Sequence, residues 1–331
     1  MFILQLLLLV AGFYLLVKSS DFVVEGASSV GLKTGLSKMV IGLTVVALGT
    51  SAPELLVSVT SAWQGSTELA LGNVVGSNIA NILLILGLSS IIAPIKIKRN
   101  SVWKEIPFSL LGALVVFVFS IRQFLEERNL AGIVSNFNQN VNIGFLGISE
   151  GLILLMFFVI FMYYILDLAK NGELDEEISE IGLGKSILFV LGGLVGLGLG
   201  SQLVVDSALG LASTFGLSQG LVGLTIVALG TSLPEIFTSL QAAFKKQSDI
   251  IVGNVVGSNI FNIFLILGLT TPIKNIPISG YSIADLSILL GATVLLFVNL
   301  FVFNKYKLGR AEGLIMLMAY LLYLTFVIQR G

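Results

Sequence analysis

Uninterrupted apolar runs such as Ile82-Leu83-Leu84-Ile85-Leu86 recur along the whole chain. A helix needs about 20 largely apolar residues to cross a bilayer. Ten stretches of that kind are legible, at roughly 2–17 (or, read generously, to about 30), 39–63, 69–93, 104–121, 145–167, 185–205, 220–244, 249–270, 282–303 and 309–328. A membrane barrel would need short segments of alternating polarity. The runs here are continuous, so the chain is read as an all-α polytopic membrane protein with ten transmembrane helices. Composition agrees, because only 11% of the residues are charged, against about 25% in an ordinary soluble domain. A surface so poor in charge excludes a soluble enzyme and a disordered chain, and a net charge of −1 offers no attraction to nucleic acid. The first stretch has no basic residues ahead of it and reads as a retained helix, not a cleaved signal.

Lys and Arg set the orientation, since they accumulate in cytoplasmic loops. Fourteen of the 18 fall on one side of the ten spans, from Lys18, Lys33 and Lys38 to Lys305, Lys307 and Arg310; Arg122, Arg128, Lys274 and Arg330 fall on the other. The lysine-rich side is read as cytoplasmic, which places both termini outside a multi-pass protein of the cell membrane. The acidic stretch between Asp167 and Lys185 lacks the spacing of a calcium-binding loop and reads as a solvated connection. Residues 122–144 form a longer external connection with no counterpart in the second half.

The chain repeats itself. Ile41–Ser90 and Val222–Thr271 align at an offset of 181 without a gap, and 28 of the 50 positions are identical. The unit is five helices, and an odd number turns the second copy upside down relative to the first. Residues 1–168 are read as the first inverted repeat, 169–184 as a cytoplasmic linker and 185–331 as the second inverted repeat. Inverted repeats are a common plan of secondary transporters, with the site where the repeats meet at mid-membrane. Small residues that pack membrane helices account for the glycines of the repeat. They do not account for Glu54 and Glu235, because a carboxylate at mid-membrane costs at least ~2.5–3.5 kcal/mol.

Within the motif ALGTSAPE, Ala47, Thr50, Ser51 and Glu54 stand at i, i+3, i+4 and i+7 and share a helical face. Pro53 lacks an N–H and frees a backbone carbonyl in the preceding turn. Ala228, Thr231, Ser232 and Glu235 repeat the register. In the second motif, GNVVGSNIxN, Ser77 and Asn81 share a face, as do Ser258 and Asn262. Asn73, Asn78, Asn254 and Asn259 read first as partners for backbone groups of interrupted helices. With no cysteine and no histidine in the chain, the donors are all oxygen. Such a set suits Ca²⁺ or Na⁺ and disfavours Zn²⁺, Cu²⁺ and Fe²⁺. Two glutamates neutralise one Ca²⁺ or accept several Na⁺, and a site that takes either load but not both is the minimum for exchange.

These two motifs resemble the α-repeats of the sodium/calcium exchangers of the cation/calcium exchanger superfamily, of the compact prokaryotic or archaeal type. The resemblance implies that Glu54 and Glu235 are shared Ca²⁺/Na⁺ carboxylates and that the carbonyls of Thr50 and Thr231 complete the Ca²⁺ site. It implies Ala47, Thr50, Ser51 and Ser77 around one Na⁺, Ala228, Thr231, Ser232 and Ser258 around another, and Asn81 and Asn262 at the centre. It also implies electrogenic exchange of three Na⁺ for one Ca²⁺, with the ions as substrates, no cofactor and no required protein partner. Several relatives carry Asp where this chain has Asn262. The alternatives are a proton/calcium exchanger, a K⁺-dependent sodium/calcium exchanger and, in another class, a cation channel. The proton branch usually carries an acid in its GN-x-x-E motif, and Gly72–Gly76 and Gly253–Gly257 carry none. An intramembrane hydrolase would need a base beside its serine, and neither motif holds His or Lys. The glycines from Gly192 to Gly200 suggest a smooth face on which the first and sixth helices slide against the core.

Overall fold

The computed structural model describes residues 2–126, 130–139, 141–171, 181–214, 228–302 and 306–330. No Pro or Gly pair interrupts the first apolar run, and α1 continues from Phe2 to Thr34. It stops at Gly35, whose φ of 71° lets the Leu36 N–H reach the Gly31 carbonyl at 3.0 Å, the usual closure of a helix by a left-handed residue. The first span therefore favours the longer of the two bounds read from hydropathy, to about 30, over 2–17, and Lys18 is an exposed residue within the helix, not part of a loop. At about 1.5 Å per residue such a helix outreaches a hydrocarbon core of roughly 30 Å, so one end stands clear of the lipid.

Short helices at Arg99–Trp103, Arg122–Glu126 and Leu130–Asn136 aside, the helices that follow are α2 (Lys38–Thr50) and α3 (Ala52–Gln64), which meet at 45°, and α4 (Thr67–Ile92). Next come α5 (Glu105–Ser120), α6 (Ile148–Asn171), α7 (Leu183–Thr214), α8 (Ala228–Thr231) and α9 (Leu233–Phe244). The last are α10 (Ser248–Thr270), α11 (Gly280–Val302) and α12 (Arg310–Gln329). Among the described residues, eight helices are long and apolar enough to cross a membrane, and the bent pair α2–α3 makes a ninth. The stretch expected at 220–244 begins outside the described residues; its described part is α8 and α9. The acidic connection likewise lies mostly outside them.

Helices α1 and α7 pack along each other. A Cβ added to Gly193 would lie 2.8 Å from the Ser19 carbonyl, and one on Gly200 would lie 3.2 Å from the Gly12 carbonyl. Gly193, Gly196 and Gly200 thus face α1, while Gly192 and Gly198 face open space. This corrects the expectation of a sliding face: the glycines bring α7 against its partner helix and not against the core. Helix α10 lies at the centre and is almost wholly buried. The ring of Phe264 on α10 packs, tilted, against those of Phe108 of α5 and Phe157 of α6. Large apolar side chains such as Met156, Val159 and Tyr163 on α6 and Leu188, Leu191 and Val195 on α7 point outward. An outward apolar belt of this kind needs lipid around it, and the chain is a multi-pass membrane protein.

Two short strand pairs, absent from the all-α expectation, tie the halves together. Strand β1 (Ile95–Lys96) pairs antiparallel with β4 (Lys307–Leu308), and β2 (Asn142–Leu146) with β3 (Ile276–Ser279). The connection at 122–144 thereby acquires a structural role, since it ends in β2, and the Asn138 N–H donates to the Gly280 carbonyl.

Candidate cation site at two interrupted helices

The site begins with two serines at which a helix breaks. Ser51 (φ −82°, ψ 6°) separates α2 from α3, and Ser232 (φ −85°, ψ 2°) separates α8 from α9. Each break is followed by a proline in the first turn of the next helix, where its missing N–H costs nothing. Glu54 and Glu235 occupy those same first turns. The positive end of a helix dipole favours a carboxylate there, which offsets part of the cost of burying groups only 1% exposed.

The two halves then exchange hydrogen bonds. The Ser51 hydroxyl donates to Glu235 Oε1 at 2.9 Å, and the Ser232 hydroxyl to Glu54 Oε1 at 3.2 Å. Each glutamate also accepts from a serine on its own side, Glu54 from Ser77 and Glu235 from Ser258, both at 3.4 Å. Thr50 Oγ1 donates to Asn254 Oδ1 at 3.0 Å and Thr231 Oγ1 to Asn73 Oδ1 at 3.1 Å. Asn73 Nδ2 returns to the Glu54 carbonyl and the Ser58 hydroxyl, at 3.3 and 3.1 Å. Asn254 does the same with Glu235 and Ser239, at 3.4 and 3.0 Å. The asparagines thus serve the backbone behind each carboxylate, as expected, and also clamp a threonine of the other half. Ser58 and Ser239 were missed in the sequence; their identity at offset 181 was the available signal.

Helices α4 and α10 each widen into a π-helical stretch, Ala80–Ile85 and Phe261–Leu267, a distortion frequent at functional sites. Asn81 and Asn262 lie in these wide turns. Asn81 Nδ2 donates to Asn259 Oδ1 and Asn262 Nδ2 to Asn78 Oδ1, both at 2.9 Å. Among the described residues, four of the buried polar atoms that have no hydrogen-bond partner belong to these side chains: Glu54 Oε2, Glu235 Oε2, Asn81 Oδ1 and Asn262 Oδ1. They form two equivalent pairs at offset 181. A buried acceptor left unpaired costs on the order of 1–3 kcal/mol, more when charged. A hard cation offsets that cost, since Ca²⁺ takes 6–8 oxygen ligands.

The structure therefore brings together Glu54, Glu235, Thr50, Thr231, Ser51, Ser232, Ser77, Ser258, Asn81 and Asn262. Ala47 is buried on the same helix, and its carbonyl accepts from the Ser51 N–H at 2.9 Å and the Thr50 hydroxyl at 3.3 Å. Ala228 opens α8; its side chain lies outside the described ones. Close approach of α2 and α10 fixes the geometry. A Cβ on Gly253 would fall 2.9 Å from Gly42 Cα and from the Leu43 nitrogen.

Comparison with known proteins follows the same lines. A family model described as "Sodium/calcium exchanger protein" matches residues 4–166 and 185–329. The chain is 32% identical over 344 residues to the sodium/calcium exchanger MaX1 of Methanosarcina acetivorans, covering 96% of this chain and 97% of that protein. It is 36% identical over 273 residues to the inner membrane protein YrbG of Escherichia coli, covering 79% and 78%. Among solved structures it matches the sodium-calcium exchanger NCX_Mj, soaked with Na⁺ and Sr²⁺, with a TM-score of 0.81 and 31% identity over 98% of this chain and 99% of that one. Two glutamates at paired helix breaks, an oxygen-only donor set and a family match over nearly the whole sequence agree, and the chain belongs to the sodium/calcium exchanger family.

Proposed function

We propose that the chain is a secondary antiporter that exchanges Na⁺ for Ca²⁺ by alternating access. The observation that carries this reading is the set of four buried, unpartnered oxygens on Glu54, Glu235, Asn81 and Asn262. Two carboxylates balance one Ca²⁺. The same carboxylates, with the hydroxyls of Ser51, Ser77, Ser232 and Ser258 and the carbonyls of Ala47, Thr50, Ala228 and Thr231, accept Na⁺ in its place. A load of three Na⁺ against one Ca²⁺ moves net charge, so transport is electrogenic. The two halves are inverted five-helix repeats joined by the linker 169–184, and α1 with α7 moves as one unit against the core. The extensive α1–α7 contact supports that unit. The test is ⁴⁵Ca²⁺ uptake into proteoliposomes with Na⁺, K⁺ and H⁺ gradients varied separately. Uptake that follows Ca²⁺ alone would indicate a channel, and uptake that follows H⁺ would indicate the proton branch.

Potassium is not required in this reading. An amide at Asn262 brings no charge, and K⁺ added beside Ca²⁺ would leave a buried positive charge that the membrane interior disfavours. Na⁺-driven Ca²⁺ flux in K⁺-free medium is expected at full rate, and flux that appears only on adding millimolar K⁺ would contradict the charge balance. Asn262→Asp, nearly equal in size, is expected to change ion coupling more than folding.

The orientation has its own check. The chain has no native cysteine, so a cysteine at Lys98 and another at Asn138 can be labelled on a clean background with a membrane-impermeant thiol reagent. The first is expected to react only from the cytoplasm and the second only from outside. Labelling of both from one side would refute the ten-helix arrangement and the external termini.

A further inference from the structure

The two halves repeat the bonds of the cation site, yet one group of contacts away from it has no counterpart among the described residues. Asp21, Glu25 and Ser28 share a face of α1 at i, i+4 and i+7. That face meets the end of α9 and the turn beyond it. Lys245 Nζ lies 2.5 Å from Asp21 Oδ1 and 3.7 Å from Glu25 Oε2. Gln241 Nε2 donates to Asp21 Oδ1 at 2.9 Å, and the Ser28 hydroxyl donates to Gln247 Oε1 at 3.2 Å. Nearer the site, the rings of Phe13 and Phe237 are 6.1 Å apart. At offset 181 the α7 positions are Gln202, Asp206 and Leu209, and those facing them would be Thr60, Gln64 and Ser66. These three facing positions are themselves uncharged, and Thr60 turns its hydroxyl back onto the Leu56 and Val57 carbonyls; Lys274 Nζ comes close to Gly65, but among the described residues no ion pair joins it to α7.

We infer that the Asp21–Lys245–Gln241 cluster is a latch that holds α1 against α9 on the lysine-rich side alone and so biases the exchanger toward the conformation closed on that side. The inference rests on the proposal above that α1 and α7 move against the core. Two inverted copies of one unit, acting alone, would give nearly equal populations of the two closed forms. An ion pair present on one side breaks that balance. Lys245 and Asp21 are each about a third exposed, at 29% and 32%, so the pair is modest in strength and releases readily. A cavity of about 470 Å³ beside it, lined by Lys38, Lys96, Lys245, Lys246 and Asp249 among others, admits water and salt to the latch from that side.

The test places a reporter between the site and the latch. Thr238 on α9 is fully buried, and Thr238→Cys introduces a single thiol. Proteoliposomes are treated from the lysine-rich side with an impermeant thiol reagent. Adding Asp21→Asn or Lys245→Gln is expected to raise the labelling rate roughly fivefold, the factor that a partly exposed ion pair sets. The charge swap Asp21→Lys with Lys245→Asp is expected to return the rate toward that of the parent. High salt on that side should raise labelling in the parent itself by screening the pair, a measurement that needs no change to the latch. Unchanged labelling in both single variants and at high salt, with Na⁺-driven Ca²⁺ flux intact, would overturn the latch. Absence of that flux in the unmutated chain would instead overturn the exchange reading.

Discussion

Glu54→Gln is expected to abolish Ca²⁺ transport, and Glu235→Gln to do the same. Each substitution keeps the size of the side chain and the acceptor that faces the two serines, so Ser77 and Ser232, or Ser258 and Ser51, retain their partner. What disappears is one of the two charges that, in the proposed site, balance a divalent ion. Removing one partner from a buried charge pair costs on the order of 3–5 kcal/mol, which corresponds to a fall of at least about 100-fold in Ca²⁺ flux at fixed concentration. Insertion should not suffer, because an amide is cheaper than a carboxylate in the bilayer interior. The measurement is ⁴⁵Ca²⁺ flux normalised to the protein reconstituted, and near-normal flux in either variant would show that the carboxylates do not carry the ion.

Gly253→Ala should cost nearly as much function by a different route. The new methyl group would meet backbone atoms of Gly42 and Leu43 at 2.9 Å, and backbone cannot swing aside as the end of a flexible side chain can. Helices α2 and α10 must separate. Overpacking of this kind costs about 1–3 kcal/mol. It also pulls Asn254, the next residue, away from the Thr50 hydroxyl 3.0 Å off. A lower melting temperature and a loss of exchange are expected together. Gly192→Ala is the control: nothing lies within 4 Å of that position, and alanine favours the helix by about 0.5–1 kcal/mol. Equal melting temperatures for Gly253→Ala and the parent would mean that α2 and α10 are not held by that contact.

The residues of the candidate site were legible because the repeat acts as an internal control. Glycine and apolar matches between Ile41–Ser90 and Val222–Thr271 have a packing explanation, but paired glutamates in uncharged helices have none, so Glu54 and Glu235 stood out. Hydroxyls and amides at helical spacing from them followed. Which atom of each side chain does what was not legible. Helical spacing places Thr50 and Asn254 on useful faces without indicating that the Thr50 hydroxyl is tied to the Asn254 oxygen of the other half. Among the described residues, hydropathy matches eight long helices and the bent pair α2–α3; for α1 the longer bound, to about 30, comes nearer the helix than 2–17, because Lys18 looks like the end of a span when the helix is taken to lie wholly within lipid. The glycines of α7 were read as a sliding surface since a row of small residues has the same appearance whichever neighbour it meets; only the positions of Ser19 and Gly12 decide that it meets α1. The strand pairs β1–β4 and β2–β3 join segments of two to five residues, too short for alternation to register and dependent on partners far away in sequence.

The crossed bonds between Ser51 and Glu235 and between Ser232 and Glu54 bear on how such a chain could have come about and how it can change. Neither copy completes these contacts by itself: each lends a hydroxyl to the other's acid and each clamps the other's threonine. A single unit with these contacts would be completed by a second copy related to it by a two-fold axis, each lending its hydroxyl to the other. After fusion, a substitution in one copy would alter the surroundings of a residue in the other. Drift in these motifs is thereby yoked across 181 positions, while helices outside the crossed contacts, such as α5 and α11, are free to diverge.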